Sequence, residues 1–352
     1  MHSILYTCWQ QEKYTPMKKI IFVLLTLTLI CCKEEPKPEF SLIGITNGID
    51  NGTVVYLHSI LENELIDSTR VENDSFSFQT KLSKTPLEVD LYTKDNSHWR
   101  SLWLENNPMT FDGINTDFEN AIVTGSKTED LSQTLYRNID SLPRNEMLKL
   151  EMEFVKNNPN SIISASLLSF YSTTFGKDKT KELFNPFSLE NKKSEYGKMI
   201  TKYIEFNKEP KIGEQFVDFE MVDKNGVTKK LSDLKGKTVL LEFWASWCAG
   251  CRQENPHLVK TYQKFNSKGF EIFAVSQDDN KENWLKAIKK DTLNWEHVSD
   301  LKGSKNEASL IYGINKIPDN FLIDENGVII GRDLHGINLE KKLAEIMLVA
   351  NN

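Results

Sequence analysis

Beyond position 32 this chain has no cysteine except Cys248 and Cys251. That excludes a disulfide-rich scaffold, which draws on four or more half-cystines. A structural zinc site needs four ligands, and the nearest histidine, His257, lies on the same predicted helix as the pair. Other histidines are scattered; His58 and His98 read as lone surface or strand residues. The chain also lacks a basic excess, with a formal net charge of -7. Nucleic-acid binding favours a basic face, so no nucleic-acid partner is expected. No apolar run reaches the ~20 residues that a bilayer span requires. No repeat of fixed period occurs.

What is present centres on Trp247-Cys-Ala-Gly-Cys251. Residues 239–244 precede it as a continuous apolar run broken only by Glu242. Leu258, Tyr262 and Phe265 follow it at helical spacing. The two cysteines therefore sit where a buried strand ends and a helix begins. A helix N-terminus has unpaired N–H groups and partial positive charge. Both favour the thiolate, which is the nucleophilic form. Cys248 comes first, near the helix tip; Cys251 lies deeper and close enough to close a disulfide. A lone C-x-x-C is also compatible with a purely structural disulfide or half a zinc site.

The surrounding residues carry a more specific likeness. Residues 243–256, F-W-A-S-W-C-A-G-C-R-Q-E-N-P, resemble the active-site segment of thioredoxin-fold thiol:disulfide oxidoreductases of the TlpA/ResA type. Residues 312–327 resemble the family's downstream segment, with its proline at Pro318 and its F-L-I-D at 321–324. The likeness covers about residues 211–347. One departure is Gly250, where the family usually has proline.

That resemblance implies an α/β thioredoxin fold over residues 210–352 and a disulfide reductase without cofactor or metal. Cys248 would attack a substrate disulfide and Cys251 would resolve the mixed disulfide, closing a Cys248–Cys251 redox disulfide. Glu242 matches a buried acid of thioredoxins; among apolar neighbours its pKa should rise, which suits it to accept the Cys251 proton. Glu254 falls on the family's C-x-x-E acid. Pro318 matches the loop proline that is normally cis, leaving the Ile317 backbone to pair with an extended substrate. Trp247 would cover the attacking sulfur.

The N-terminus reads as an address. Residues 17–19 are basic and 20–30 apolar, as in a secretory signal. Leu29-Ile-Cys-Cys32 resembles a bacterial lipobox, implying lipidation of Cys32, or alternatively Cys31. Residues 1–16 have no place in such a signal and read as an over-called start. Residues 33–39 form a charged tether. The expectation is an envelope lipoprotein anchored on the periplasmic side, with surface exposure open. Its partners would be disulfide-containing envelope proteins, apocytochrome c among the candidates, and a membrane thiol donor.

Residues 40–127 carry short strand signals between Asn-Gly turns, predicting a small all-β sandwich-like domain. Their motif order is similar to a domain of unknown function found ahead of thioredoxin domains in envelope lipoproteins. Residues 128–209 show helical spacing, as in Leu131, Leu135 and Ile139, and predict a helical segment. Three rival functions remain at this stage. One is a thioredoxin-fold peroxidase; its characteristic proline and threonine are missing upstream of Cys248. Another is copper delivery, for which His297 or His335 would have to serve. The third is a non-catalytic surface-binding lipoprotein.

Overall fold

A computed structural model describes residues 40–349 apart from 138 and 140. The signal, Cys31, Cys32 and the tether lie outside the described residues. Eight strands open the described chain: β1 (Ser41–Ile45), β2 (Val54–Ser59), β3 (Glu64–Arg70), β4 (Ser75–Phe78), β5 (Leu87–Thr93), β6 (Trp99–Leu104), β7 (Pro108–Asp112) and β8 (Ile122–Thr124). They form two four-stranded sheets, ordered β4-β1-β7-β8 and β3-β2-β5-β6. Val55, Leu57, Val89 and Leu91 from one sheet share a core with Leu42, Phe76, Phe111 and Val123 from the other. Alternate residues point inward, as a two-layer sandwich requires. Strands β3, β7 and β8 have no counterpart in the sequence reading. β3 is mostly polar, and β8 is too short to show a period.

Six helices follow: α1 (Lys127–Tyr136), α2 (Arg144–Asn157), α3 (Ile162–Phe175), α4 (Lys177–Phe184), α5 (Leu189–Lys193) and α6 (Glu195–Phe206). Ser126 caps α1 by accepting from the Glu129 N–H at 3.0 Å. The helices pack on both neighbours. Toward the sandwich, half-buried Glu88 on β5 accepts from Ser166 Oγ and Tyr196 Oη, each at 2.8 Å. Toward the C-terminal fold, Asn207 Nδ2 donates to the Leu310 carbonyl at 2.9 Å, and Lys208 N–H donates to the Ile311 carbonyl at 3.0 Å. Asn207 is fully buried, so Asn207→Ala leaves a buried carbonyl without this donor. The variant should lose ~1–3 kcal/mol of stability, read as a lower urea midpoint with an unchanged slope.

The C-terminal fold begins with a small hairpin, β9 (Glu220–Val222) and β10 (Thr228–Lys230). It continues through β11 (Thr238–Trp244), α7 (Ala249–Phe265), β12 (Phe270–Ser276), α8 (Lys281–Asp291) and β13 (Glu296–Val298). α9 (Glu307–Tyr312), β14 (Asp319–Ile323), β15 (Ile329–Arg332) and α10 (Gly336–Val349) complete it. The sheet order is β13-β12-β11-β14-β15. β12 lies parallel to the central β11 and β14 antiparallel to it.

Every residue of β11 is buried. This explains its unbroken apolar run, since both faces are covered. Leu240 and Trp244 join a core with Cys248, Cys251, Leu258, Trp284 and Leu339, drawn from α7, α8 and α10. Val239, Leu241 and Phe243 face the other way, onto Tyr312, Phe321 and Ile311.

Candidate active site

The site lies where β11 delivers the chain to α7. Cys248 is the N-cap of α7, and its Sγ accepts from the Cys251 N–H at 3.1 Å. The two Cα atoms are 5.3 Å apart and the sulfurs are bonded to each other. Cys251 is fully buried, whereas Cys248 keeps 7% of its surface exposed. The accessibility difference expected from the sequence has the expected sign, but it is small. Cys248 turns its carbon atoms into the same apolar core that takes Cys251.

Trp247, immediately before the pair, is 63% exposed. The Ile317–Pro318 bond is cis. A Cβ built on Gly250 would stand 3.4 Å from Pro318 Cδ, so the proline loop faces the first turn of α7. Ile317 is partly buried and packs against the cores on both sides of the sheet. Cys248, Cys251, Trp247, Ile317 and Pro318 therefore gather at one end of the sheet.

Glu242 is only 3% exposed. Alternation along β11 puts it on the face shared by Leu240, Trp244 and the two cysteines. Its Oε2 has no hydrogen-bond partner among the described residues. Burial, reinforced by the nearby Glu254 charge, pushes its carboxyl up to about 8. Glu254 is half-buried and accepts from the Gly336 N–H at 2.7 Å. Gly336 opens α10. A carboxylate there meets an unpaired amide and the positive end of the helix dipole.

Other polar residues at the site carry no signal in the sequence pattern. Buried Asp278 accepts from the Ser246 N–H at 2.9 Å and from Ser276 Oγ at 2.7 Å, and also pairs with Ser246 Oγ. Arg252 donates from Nη1 to the Ser246 carbonyl at 2.9 Å and from Nη2 to Asp291 at 2.7 Å. Asn255 Nδ2 joins the same carboxylate at 2.6 Å. His297 is buried between the Trp244 and Trp295 rings, at centroid distances of 5.4 and 5.7 Å. Burial drives its pKa down to about 3, so it is neutral. His335 pairs with Asp333 at 2.9 Å.

Comparison with known proteins agrees with this geometry. The AhpC/TSA family matches residues 212–332, and a domain of unknown function, DUF4369, matches residues 40–132. The thiol-disulfide oxidoreductase ResA of Bacillus cereus is 33% identical over 144 residues, covering 40% of this chain and 81% of that protein. ResA of Bacillus subtilis is 35% identical over 118 residues, covering 34% and 64%. Among solved structures, the thioredoxin domain of a thiol-disulfide oxidoreductase from Bacteroides vulgatus is 35% identical. It covers 39% of this chain and 98% of its own, with a TM-score of 0.37. A thiol-disulfide oxidoreductase from Bacteroides fragilis is 33% identical, covering 38% and 99%, with a TM-score of 0.36.

The C-terminal fold is a thioredoxin fold, and the relatives it matches are thiol-disulfide oxidoreductases. The chain belongs to the ResA family of these enzymes, with a DUF4369 domain ahead of the catalytic fold.

Gly250 offers a direct test of how the first turn of α7 sets the redox balance. Proline is tolerated there, because the first turn of a helix has no intrahelical partner for its N–H. The one contact awaiting a Cβ is Pro318 Cδ, at ordinary van der Waals distance. Proline would stiffen the turn that holds the sulfurs together and favour the disulfide form. Gly250→Pro should therefore be more strongly reducing by about 10–20 mV, measured by equilibration with glutathione. An unchanged or less reducing pair would contradict this.

Proposed function

We propose that this protein is a cell-envelope disulfide reductase working through Cys248 and Cys251. The observation that carries the reading is the placement of Cys248 as the α7 N-cap, one turn ahead of a fully buried Cys251. The Cys248 thiolate attacks one sulfur of a protein cystine, forming a mixed disulfide and releasing the other substrate sulfur as a thiolate. Cys251, deprotonated by Glu242, then attacks Cys248 Sγ and releases the second substrate thiol. Two electrons pass from the dithiol to the cystine, and the pair ends as the Cys248–Cys251 disulfide. A second dithiol, membrane-borne, restores the reduced pair.

Glu242 suits its part because burial pushes its carboxyl up to about 8, close to the balance point for exchanging a proton near neutrality, so that its ionised fraction can accept the Cys251 proton. Glu254, held by the Gly336 N–H at the α10 N-terminus, lies near enough to Glu242 to tune that balance. Trp247, Ile317 and Pro318 receive the extended substrate. Apocytochrome c is one such substrate, and insulin is a convenient surrogate. With dithiothreitol as electron donor, the full-length chain should precipitate insulin B chain with catalytic turnover. No turnover with insulin or any envelope cystine would overturn the reading.

The AhpC/TSA match favours peroxide reduction as a second reading. Peroxide consumption with a thiol donor, at a rate exceeding disulfide reduction, would establish it. For the envelope address, lipidation of Cys32 predicts fatty-acid labelling that Cys32→Ser abolishes; labelling that instead depends on Cys31 moves the anchor by one residue. No helix among the described residues is long and apolar enough to cross a membrane.

A further inference from the structure

Ser246 stands two residues before Cys248, and each of its backbone polar atoms is held by a side chain from elsewhere. Its N–H goes to Asp278, just beyond β12, and its carbonyl to Arg252, on α7. Arg252 is itself clasped by Asp291, the last residue of α8, through Nε and Nη2. An acid at a helix C-terminus opposes the helix dipole, which favours cations there. Asp291 is preceded by Lys289 and Lys290, which fit that rule, yet the final position is acidic. Its carboxylate is met by the fork of Arg252 and by buried Asn255. Burial acts to raise its pKa, but the Arg252 and Asn255 hydrogen bonds outweigh that and keep it ionised.

We propose that Arg252, oriented by Asp291, is a positioning residue for the dithiol. Its guanidinium pins the Ser246 carbonyl and so fixes the peptide turn that carries Trp247 and presents Cys248. The fork shape is essential, because one planar group must reach a carboxylate with two nitrogens and a carbonyl with the third. Lysine has the same charge but a single ammonium head, so it cannot reproduce that geometry. The pair is separated by 39 positions in sequence, so α8 takes a direct part in holding the reacting turn. This inference rests on Cys248 being the attacking sulfur.

The test uses the full-length reduced chain and its Arg252→Lys and Asp291→Asn variants. The readouts are the stopped-flow rate of attack on a small aromatic disulfide, the dithiol potential against glutathione, and the melting temperature. Both variants should attack about 10- to 100-fold more slowly, with potentials displaced in the same direction. The double variant should be no slower than the slower single one, since both act through one clamp. Wild-type rate and potential in Arg252→Lys would overturn the proposal. So would a lower melting temperature with the rate per folded molecule unchanged. If Arg252→Lys fails to fold, Asp291→Asn decides the matter alone. A wild-type chain that releases no chromophore fails the Cys248 reading instead, a result separable from a reactive wild type matched by its variants.

Discussion

Cys251→Ser should accumulate as a mixed disulfide with its substrate, while Cys248→Ser should form none. The two sulfurs differ in position, and the difference assigns their order. Cys248 caps α7 and retains some surface; Cys251 has none and is bonded to Cys248. Removing the first sulfur eliminates attack altogether, so Cys248→Ser should lose at least about 10³-fold in insulin reduction. Removing the second leaves attack intact but blocks resolution. Non-reducing gels followed by mass mapping read both outcomes. A trapped adduct on Cys251 in the Cys248→Ser variant would reverse the assignment.

Glu242→Gln should be more stable than the wild type at alkaline pH and slower in the resolving step. Glutamine keeps the shape of the side chain and removes its charge. In the folded protein Glu242 holds its proton up to about 8, against an ordinary value of 4.5. The folded state therefore binds the proton more tightly than the unfolded chain does. The resulting stabilisation is complete below pH 4.5 and is lost as pH rises toward 8. At the upper end the wild type has lost up to ~5 kcal/mol, since each pKa unit is worth ~1.4 kcal/mol. Glu242→Gln should lack that slope. Urea denaturation from pH 4 to pH 9 separates the two curves, which should converge at the acid end. Activity should move the other way, because loss of a proton acceptor for Cys251 slows resolution by about 10²-fold. Equal slopes in the two proteins would show that Glu242 titrates normally.

The cysteine pair was legible in the sequence because its context is local. An apolar strand, two cysteines three apart and a helical period fall within one short stretch, and each element constrains the next. The downstream proline was legible only through resemblance, since nothing in its spacing shows that it faces Gly250. The two-sheet character of residues 40–127 could be read from turn residues and alternation. β8 and β13 could not, because three residues hold no measurable period.

Long-range polar contacts were also hidden. Arg252, Asp291 and Asp278 are far apart in the chain and no motif links them; only packing brings them to Ser246. Nothing in the sequence singles out Asn207, yet it joins the helical segment to α9. The near-burial of Cys248 was not legible either. Amphipathic spacing places a helix tip at the surface, but it does not report how far the first residue leans into the core.

The central claim is that Cys248 is the more reactive sulfur. The most direct measurement is alkylation of the reduced full-length chain with iodoacetamide across pH, with each adduct located by mass spectrometry. Cys248 should be modified first, faster at neutral pH than free glutathione, with Cys251 lagging well behind. Modification of both sulfurs at or below the glutathione rate would contradict it.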